Sequence, residues 1–478
     1  MPGVCFGKGV SRYIVQSSGK VHDLINRLVI ALLLLFIPGG SVLGSEHETV
    51  KPDKRLTFDI VGLYIWTDTQ DQHAFWKSCG INTLQFCDLG WCRNLNLHDA
   101  YYKGMAAGID AAKKDGFKTN VLLFANIRQW KGPQDIEPTG VGIKFHPSDE
   151  DAMQERLMFL AKTVRALHDA DSFSFLGGDP GGVPSDLGPA TVHDWIAMAR
   201  KVHEVVKREA PHAEFNVNPW AITMWQYPNL GCGASEWWLK ETDLTKIIIN
   251  EKDFIGADCG IELAGHNYYR AMALRNYSRD GLNPEPFPTA DDVKMLKSKG
   301  TSRIWAWPYF LLDEADDGDV GPDGSILPLP QSETRYIYRL VNEMRSIGMT
   351  GIMGSWSYAG YLAKAPNTYA FGRFCNDTDA TPAMVIDEYA KCVADDSTWA
   401  SLAQILRFIE NNSNWQMKLP AERRLPNFEC NIRSAEMAMA KLARIVPRDK
   451  PLFALPEPAP KYLSRLKERL QLIAGKEK

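Results

Sequence analysis

Two stretches of the chain carry carboxylates in settings that suit chemistry. Asp179 lies in FLGGDPGG, residues 175–182, where an apolar run meets four glycines, one acid and a proline. Glu314 is the second residue of the acidic run at 313–319, DEADDGD. A pair of carboxyl groups is the minimum for cleaving a glycosidic bond, one holding a proton for the leaving group and the other, ionised, activating water or attacking the sugar. Asp179 and Glu314 are the first candidates for that catalytic pair, with Asp88, Asn218 and Glu262 as alternates. Structural roles compete: Asp179 can close an Asx turn with its glycines, and Glu314 can be a solvated or cation-binding loop acid. Other chemistries find less support. FLGGDPGG has no Lys-Ser/Thr for a phosphate loop and the wrong glycine spacing for a dinucleotide. No G-x-S-x-G elbow is present, and DGDVGPDG (317–324) lacks the bidentate Glu of a calcium loop. Neither a metal nor a cofactor is expected.

The elements that must position these residues follow one rhythm of apolar strand, polar loop and amphipathic helix. Strand segments are expected at 57–66, 81–91, 117–127, 172–179, 213–220, 252–263, 301–314 and 350–360, each followed by a helical pattern. Eight such units over about 300 residues predict an α/β fold, a (β/α)8 TIM barrel, although an open doubly wound sheet shares the alternation. The barrel is favoured because polar and aromatic residues follow nearly every strand rather than one switch point. In such a barrel the functional side chains stand at the C-terminal strand ends. That rule places Asp88 and Trp91 after the second strand, Asn126 after the third, Asp179 after the fourth, and Asn218 and Trp220 after the fifth. It places Glu262 and His266 after the sixth, Asp313 and Glu314 after the seventh, and Trp356 and Tyr358 after the eighth. Asp179 and Glu314 are then expected to face each other across the barrel. Asp88, Trp91, Asn218, Trp220, Glu262, His266, Trp307 and Trp356 are the expected substrate-binding set, since flat aromatic faces among acids and amides suit a sugar ring. About half of the tryptophans near strand ends are expected in the core instead, as Trp is mostly buried.

The flanks complete the organisation. Lys20 and Arg27 precede the apolar run LVIALLLLFI, then PGG and the small residues of SVLG, which reads as a signal peptide over 1–44. The run is too short for a stable membrane span, so export to a periplasmic or extracellular space is expected. A spacer (45–56) leads to the barrel (57–365), and a helical C-terminal domain fills 366–478, with amphipathic stretches at 382–412 and 433–446 and a basic terminal helix. A net charge of −4 leaves no basic footprint for nucleic acid. Nine cysteines, eight of them past the leader, permit disulfides in an exported protein; Cys87 and Cys92 can pair or serve as small buried hydrophobes.

Two stretches resemble glycoside hydrolases. FSFLGGDPGG is similar to the fourth-strand segment of family 20 β-hexosaminidases, where a Gly-Gly-Asp-Glu run supplies an Asp that orients the substrate acetamido group and a Glu that is the general acid. Asp179 matches the Asp; Pro180 stands where that Glu would be. NTYAFGRFCNDTDATPAMVIDEYAKCV (367–393) resembles the start of the helical C-terminal domain in family 67 α-glucuronidases, with Arg373, Asp377 and Glu388 fitting a pattern of domain packing. The resemblance implies an exported glycosidase acting on an oligo- or polysaccharide. The alternative is a carbohydrate-binding barrel that has lost its acid, for which Pro180 is the leading residue.

Overall fold

The computed structural model describes residues 57–65, 70–87, 95–125, 146–178, 183, 188–228, 230, 235–264, 287–307, 319–320, 326–327, 332–355, 365–411 and 431–475. The leader and spacer lie outside these residues, and the described ones all belong to one compact unit, Pro52–Lys478. Eight parallel strands form a closed barrel: β1 (Ile60–Ile65), β2 (Thr83–Cys87), β3 (Lys118–Phe124), β4 (Ser172–Leu176), β5 (Glu214–Asn218), β6 (Gly260–Ala264), β7 (Ile304–Trp307) and β8 (Gly351–Ser355). Each pairs with its sequence neighbours, and β8 pairs with β1 to close the ring. Around it run α1 (His73–Ser78), α2 (Leu95–Lys114), α3 (Glu150–Ala166), α4 (Val192–Glu209), α5 (Ser235–Glu251), α6 (Ala290–Ser298), α7 (Thr334–Ser346) and α8 (Ala365–Asn376). The expected barrel is therefore the observed fold. A short antiparallel ribbon, Asp319–Val320 with Ile326–Leu327, lies outside the barrel sheet.

Two details differ from the sequence reading. The segment 252–263 begins as a 3-10 turn, Lys252–Phe254, and only its end pairs as β6. The ring order also places β4 and β7 three strands apart, whereas direct opposition joins β4 to β8 and β2 to β6. Asp179 and Glu314, which follow β4 and β7, thus do not come from opposed strands.

The strands alternate because each buries two unlike faces. Val61, Leu63, Leu84, Phe86, Val121, Phe173, Phe175, Phe215, Val217 and Ile261 point outward into the helix layer, where Phe175 stacks on Trp195 of α4 at 5.8 Å. The inward positions form a separate core with Ile60, Tyr64, Leu122, Phe124, Leu176, Trp305, Trp307 and Met353. Glycines fit the lumen to its large side chains: a Cβ on Gly351 would lie 2.7 Å from Trp305 Cδ1. Local caps start the helices between strands. Thr191 and Asp194 form a reciprocal capping box on α4, and Thr289 and Asp292 do the same on α6.

α8 completes the helical ring between α7 and α1. Arg345 of α7 donates to the carbonyls of Phe374 and Cys375, and Asn376 donates to Gly80 O at 3.0 Å. Among the described residues four helices follow: α9 (Pro382–Val393), α10 (Trp399–Asn411), α11 (Asn431–Leu442) and α12 (Ala459–Gly475). The apolar stretch at 382–412 is split because Asp395 accepts hydrogen bonds from Ser397 and Thr398, which ends one helix and starts the next. Arg373, Asp377 and Glu388 do converge. Arg373 of α8 donates to both oxygens of Glu388 on α9, at 2.9 and 3.1 Å, and pairs with Asp377 at 3.2 Å. Among the described residues no helix is long and apolar enough to cross a membrane.

Candidate active site

The inward face of the barrel carries a polar network that the apolar outer face conceals. Gln85, Asn120, Ser172, Ser174, Asn216, Asn218 and Glu262 occupy inward positions of β2 to β6 and are buried. A buried polar group needs its partners inside the protein, and these residues supply them to one another. Asn120 Nδ2 donates to Ser172 Oγ at 2.8 Å and to Ser174 Oγ at 2.9 Å. Gln85 Nε2 donates to Asn120 Oδ1 at 2.9 Å.

Glu262 is the centre of the network and has no solvent exposure. Gln85 Nε2, from the opposite strand, donates to its two oxygens at 3.0 and 3.1 Å, so the pair spans the lumen. Asn218 Nδ2 donates to Oε2 at 3.1 Å, and the Ser174 hydroxyl donates to Oε1. Burial pushes the Glu262 carboxyl up from 4.5 to about 7, against hydrogen bonds from Ser174, Gln85 and Asn218 that favour its charged form. A carboxyl of this kind changes its proton near neutral pH.

The orientations of both amides are fixed by groups that only donate. Trp307 Nε1 donates to Gln85 Oε1 at 2.8 Å, which turns the Gln85 amino group toward Glu262. The Trp220 backbone N–H donates to Asn218 Oδ1 at 3.1 Å and turns that amino group the same way. Trp307 meets Tyr64 edge-on at 5.3 Å, and Trp220 meets Trp237 edge-on at 5.2 Å. Their exposures are 1% and 4%, so neither ring presents a face to solvent.

The end of β5 carries a second buried acid. Ala221, directly after Trp220, has φ 62°, a left-handed backbone that costs a residue with a Cβ about 1–2 kcal/mol. The turn at Thr223–Gln226 that follows is held by Glu241 of α5, which accepts from Thr223 N at 2.9 Å and Thr223 Oγ1 at 2.6 Å. Burial pushes the Glu241 carboxyl to about 7 as well.

Gly177, directly after β4, serves packing. The Trp225 indole donates to Gly177 O at 3.1 Å, and a Cβ on Gly177 would lie 3.1 Å from Trp195 Nε1 and 3.2 Å from Trp225 Nε1. The space a side chain would take at Gly177 is filled by two tryptophans. Gly178 has φ 140°, where a Cβ is poorly tolerated.

Of the expected site residues, the structure brings Asn218, Trp220, Glu262 and Trp307 into one connected group. Asp179, Glu314, Asp88, Trp91, His266 and Trp356 lie outside the described residues. Gln85, Asn120 and Ser174 are additions that a reading of strand ends misses. Their signal is a polar residue at every second strand position, as in SFS and FNVN. Cys87, a candidate for pairing, is a buried free thiol 3.2 Å from the Tyr64 hydroxyl. Among the described residues no group of three His, Cys, Asp or Glu side chains gathers as a metal site.

No protein-family model matches the chain, and no curated protein matches it. Among solved structures, a mutant of the Thermobaculum terrenum O-GlcNAc hydrolase is similar over 88% of this chain and 81% of its own, with 12% identity and a TM-score of 0.50. GH5_18 of Streptomyces cattleya, solved with GlcNAc, is similar over 68% of this chain and 82% of its own, with 15% identity and a TM-score of 0.41. The Haloferax volcanii malate synthase is similar over 69% and 72%, with 9% identity and a TM-score of 0.37. At these identities the likeness is one of fold.

Proposed function

We propose that the chain is an exported glycoside hydrolase that cleaves an oligo- or polysaccharide at the C-terminal mouth of the barrel. The observation that carries this reading is the Glu262 network, which sets an acid that titrates near neutral pH among amide, hydroxyl and indole donors inside a closed parallel barrel. Fold likeness to the Thermobaculum terrenum O-GlcNAc hydrolase agrees with it, because this architecture builds its sites from the loops above such a lumen. Asp179 and Glu314 are the acid and its partner, a role that needs unequal proton affinities and a spacing that fits the sugar, with or without a water, between the two carboxyls. Asp88 and His266 line the substrate cleft. Trp91 and Trp356 supply ring faces, while the buried Trp220 and Trp307 support the cleft from the packed lumen beneath it. The chain requires no metal or cofactor in this scheme.

A panel of aryl glycosides and defined oligosaccharides, assayed for released reducing sugar alongside calorimetric binding, tests the proposal. Turnover of at least one member is expected. Binding without turnover would assign the chain to the carbohydrate-binding reading that Pro180 favours, and neither binding nor turnover would remove both.

A further inference from the structure

We infer that Glu262 is a proton-carrying positioning residue, which holds Trp307 through Gln85 and the Trp220 backbone through Asn218 in two hydrogen-bond arrangements selected by its protonation. The inference rests on the proposed glycosidase reading for what the mouth does, and on the network alone for how it is held.

The hydroxyl of Ser174 has one hydrogen and two acceptors in reach, Glu262 Oε1 and, at 3.2 Å, Asn120 Oδ1. When Glu262 is ionised, the hydroxyl donates to it. When Glu262 takes up a proton on Oε1, that proton is donated to Ser174 Oγ, the hydroxyl turns to Asn120 Oδ1, and Asn120 Nδ2 gives up Ser174 while keeping Ser172 Oγ, which leaves the two lone pairs of Ser174 to Glu262 and Asn216. No polar atom of this group is orphaned in either arrangement, so the lumen accommodates both charge states. A network with only one satisfied arrangement would lock the acid instead.

The surroundings leave this proton to the network. The groups bonded to the Glu262 carboxyl are neutral: Gln85 from β2, Ser174 from β4 and Asn218 from β5. On β7, Trp305 pairs in register with Glu262, and Trp307 reaches it through Gln85. Tyr64 of β1 and Cys87 of β2 meet each other at 3.2 Å. Among the described residues, the cation hydrogen-bonded to the network is Arg303. It donates to Asn216 Oδ1 at 3.2 Å and pairs with Glu214, while Asn216 Nδ2 stands 3.5 Å from Ser174 Oγ. Protonation of Glu262 changes the pull on Gln85 Nε2 and Asn218 Nδ2 together, and each amide passes that change to one tryptophan.

The test is a pH titration of the mature chain labelled with 15N, following the Trp307 indole N–H, assigned with Trp307→Phe, and the Trp220 backbone N–H. Both resonances are expected to move with one common midpoint near neutral pH, and neither to titrate in Glu262→Gln. Ser174→Ala, which keeps the acid and removes one donor to its charged form, is expected to raise the midpoint and serves if Glu262→Gln fails to fold. Static resonances, separate midpoints, a titration that persists in Glu262→Gln, or an unmoved midpoint in Ser174→Ala would each overturn the inference. The pH profile of kcat on any cleaved glycan is expected to lose a limb at that midpoint in Glu262→Gln, while KM changes less than kcat; an unaltered profile would overturn the role at the mouth. If the resonances titrate and no glycan is cleaved, the network stands and the glycosidase reading fails; cleavage without titration gives the reverse.

Discussion

Replacing Glu262 by Gln removes a titrating acid from the lumen while keeping its shape, and this changes how stability depends on pH. Burial raises the Glu262 carboxyl from 4.5 to about 7 in the folded protein. The folded state therefore holds a proton that the unfolded chain gives up over that interval, and stability falls as pH rises from about 4.5 to about 7. At ~1.4 kcal/mol per pH unit, the loss sums to about 3 kcal/mol by pH 8. Glu262→Gln has no proton to lose. The stability of the natural protein relative to this variant should thus decline by about 3 kcal/mol between roughly pH 4 and pH 8, with a slope near −1.4 kcal/mol per unit in the middle. Urea denaturation at a series of pH values measures that difference directly. Glu241 titrates in both proteins, so its contribution largely cancels in the comparison. A difference that stays level across the range, or one that grows with pH, would refute the assignment of a raised proton affinity to Glu262.

Other perturbations follow from the same structure. Glu241→Gln should likewise flatten the pH dependence of stability between about 4.5 and 7, because its carboxyl is also raised to about 7; equal slopes for variant and parent would contradict this. Gly177→Ala forces a Cβ against Trp195 and Trp225, and overpacking of this kind should cost about 1–3 kcal/mol in thermal or urea unfolding. Arg373→Ala removes two charge-assisted hydrogen bonds to Glu388 and should loosen α9 from α8. Its cost should be about 1.5–3 kcal/mol, and limited proteolysis should be faster in the C-terminal region than in the barrel.

Much of the fold is legible because each strand is bounded by polar loops and followed by an amphipathic helix. Even the obscure sixth strand, Gly260–Ala264, overlaps the end of its expected segment, although Lys252–Phe254 takes a helical turn there. The ring order is not written in any one segment, which is why β4 and β7 read as opposed when two strands separate them on one side. The site is legible in part. Asn218 and Glu262 stand out as polar residues near strand ends, and they bond to each other at 3.1 Å. Gln85, Asn120 and Ser174 are less visible because isolated polar residues inside strands look like ordinary interior substitutions. Their meaning depends on a lumen that gathers positions up to 222 residues apart, as for Gln85 and Trp307. Tryptophans at strand ends mislead in the other direction. Trp220, Trp225, Trp305 and Trp307 are all buried, and the two with a hydrogen bond described from the indole, Trp225 and Trp307, spend it on the protein.

The measurement that bears most directly on the central claim is the rate of reducing-sugar release by the natural protein compared with Asp179→Asn and Glu314→Gln on one cleaved glycan. Glycoside hydrolysis through this carboxyl pair predicts that each substitution lowers kcat by about 100-fold or more, since a positioned acid or base contributes on that order. Activity within a few-fold of the natural protein in both variants would contradict it.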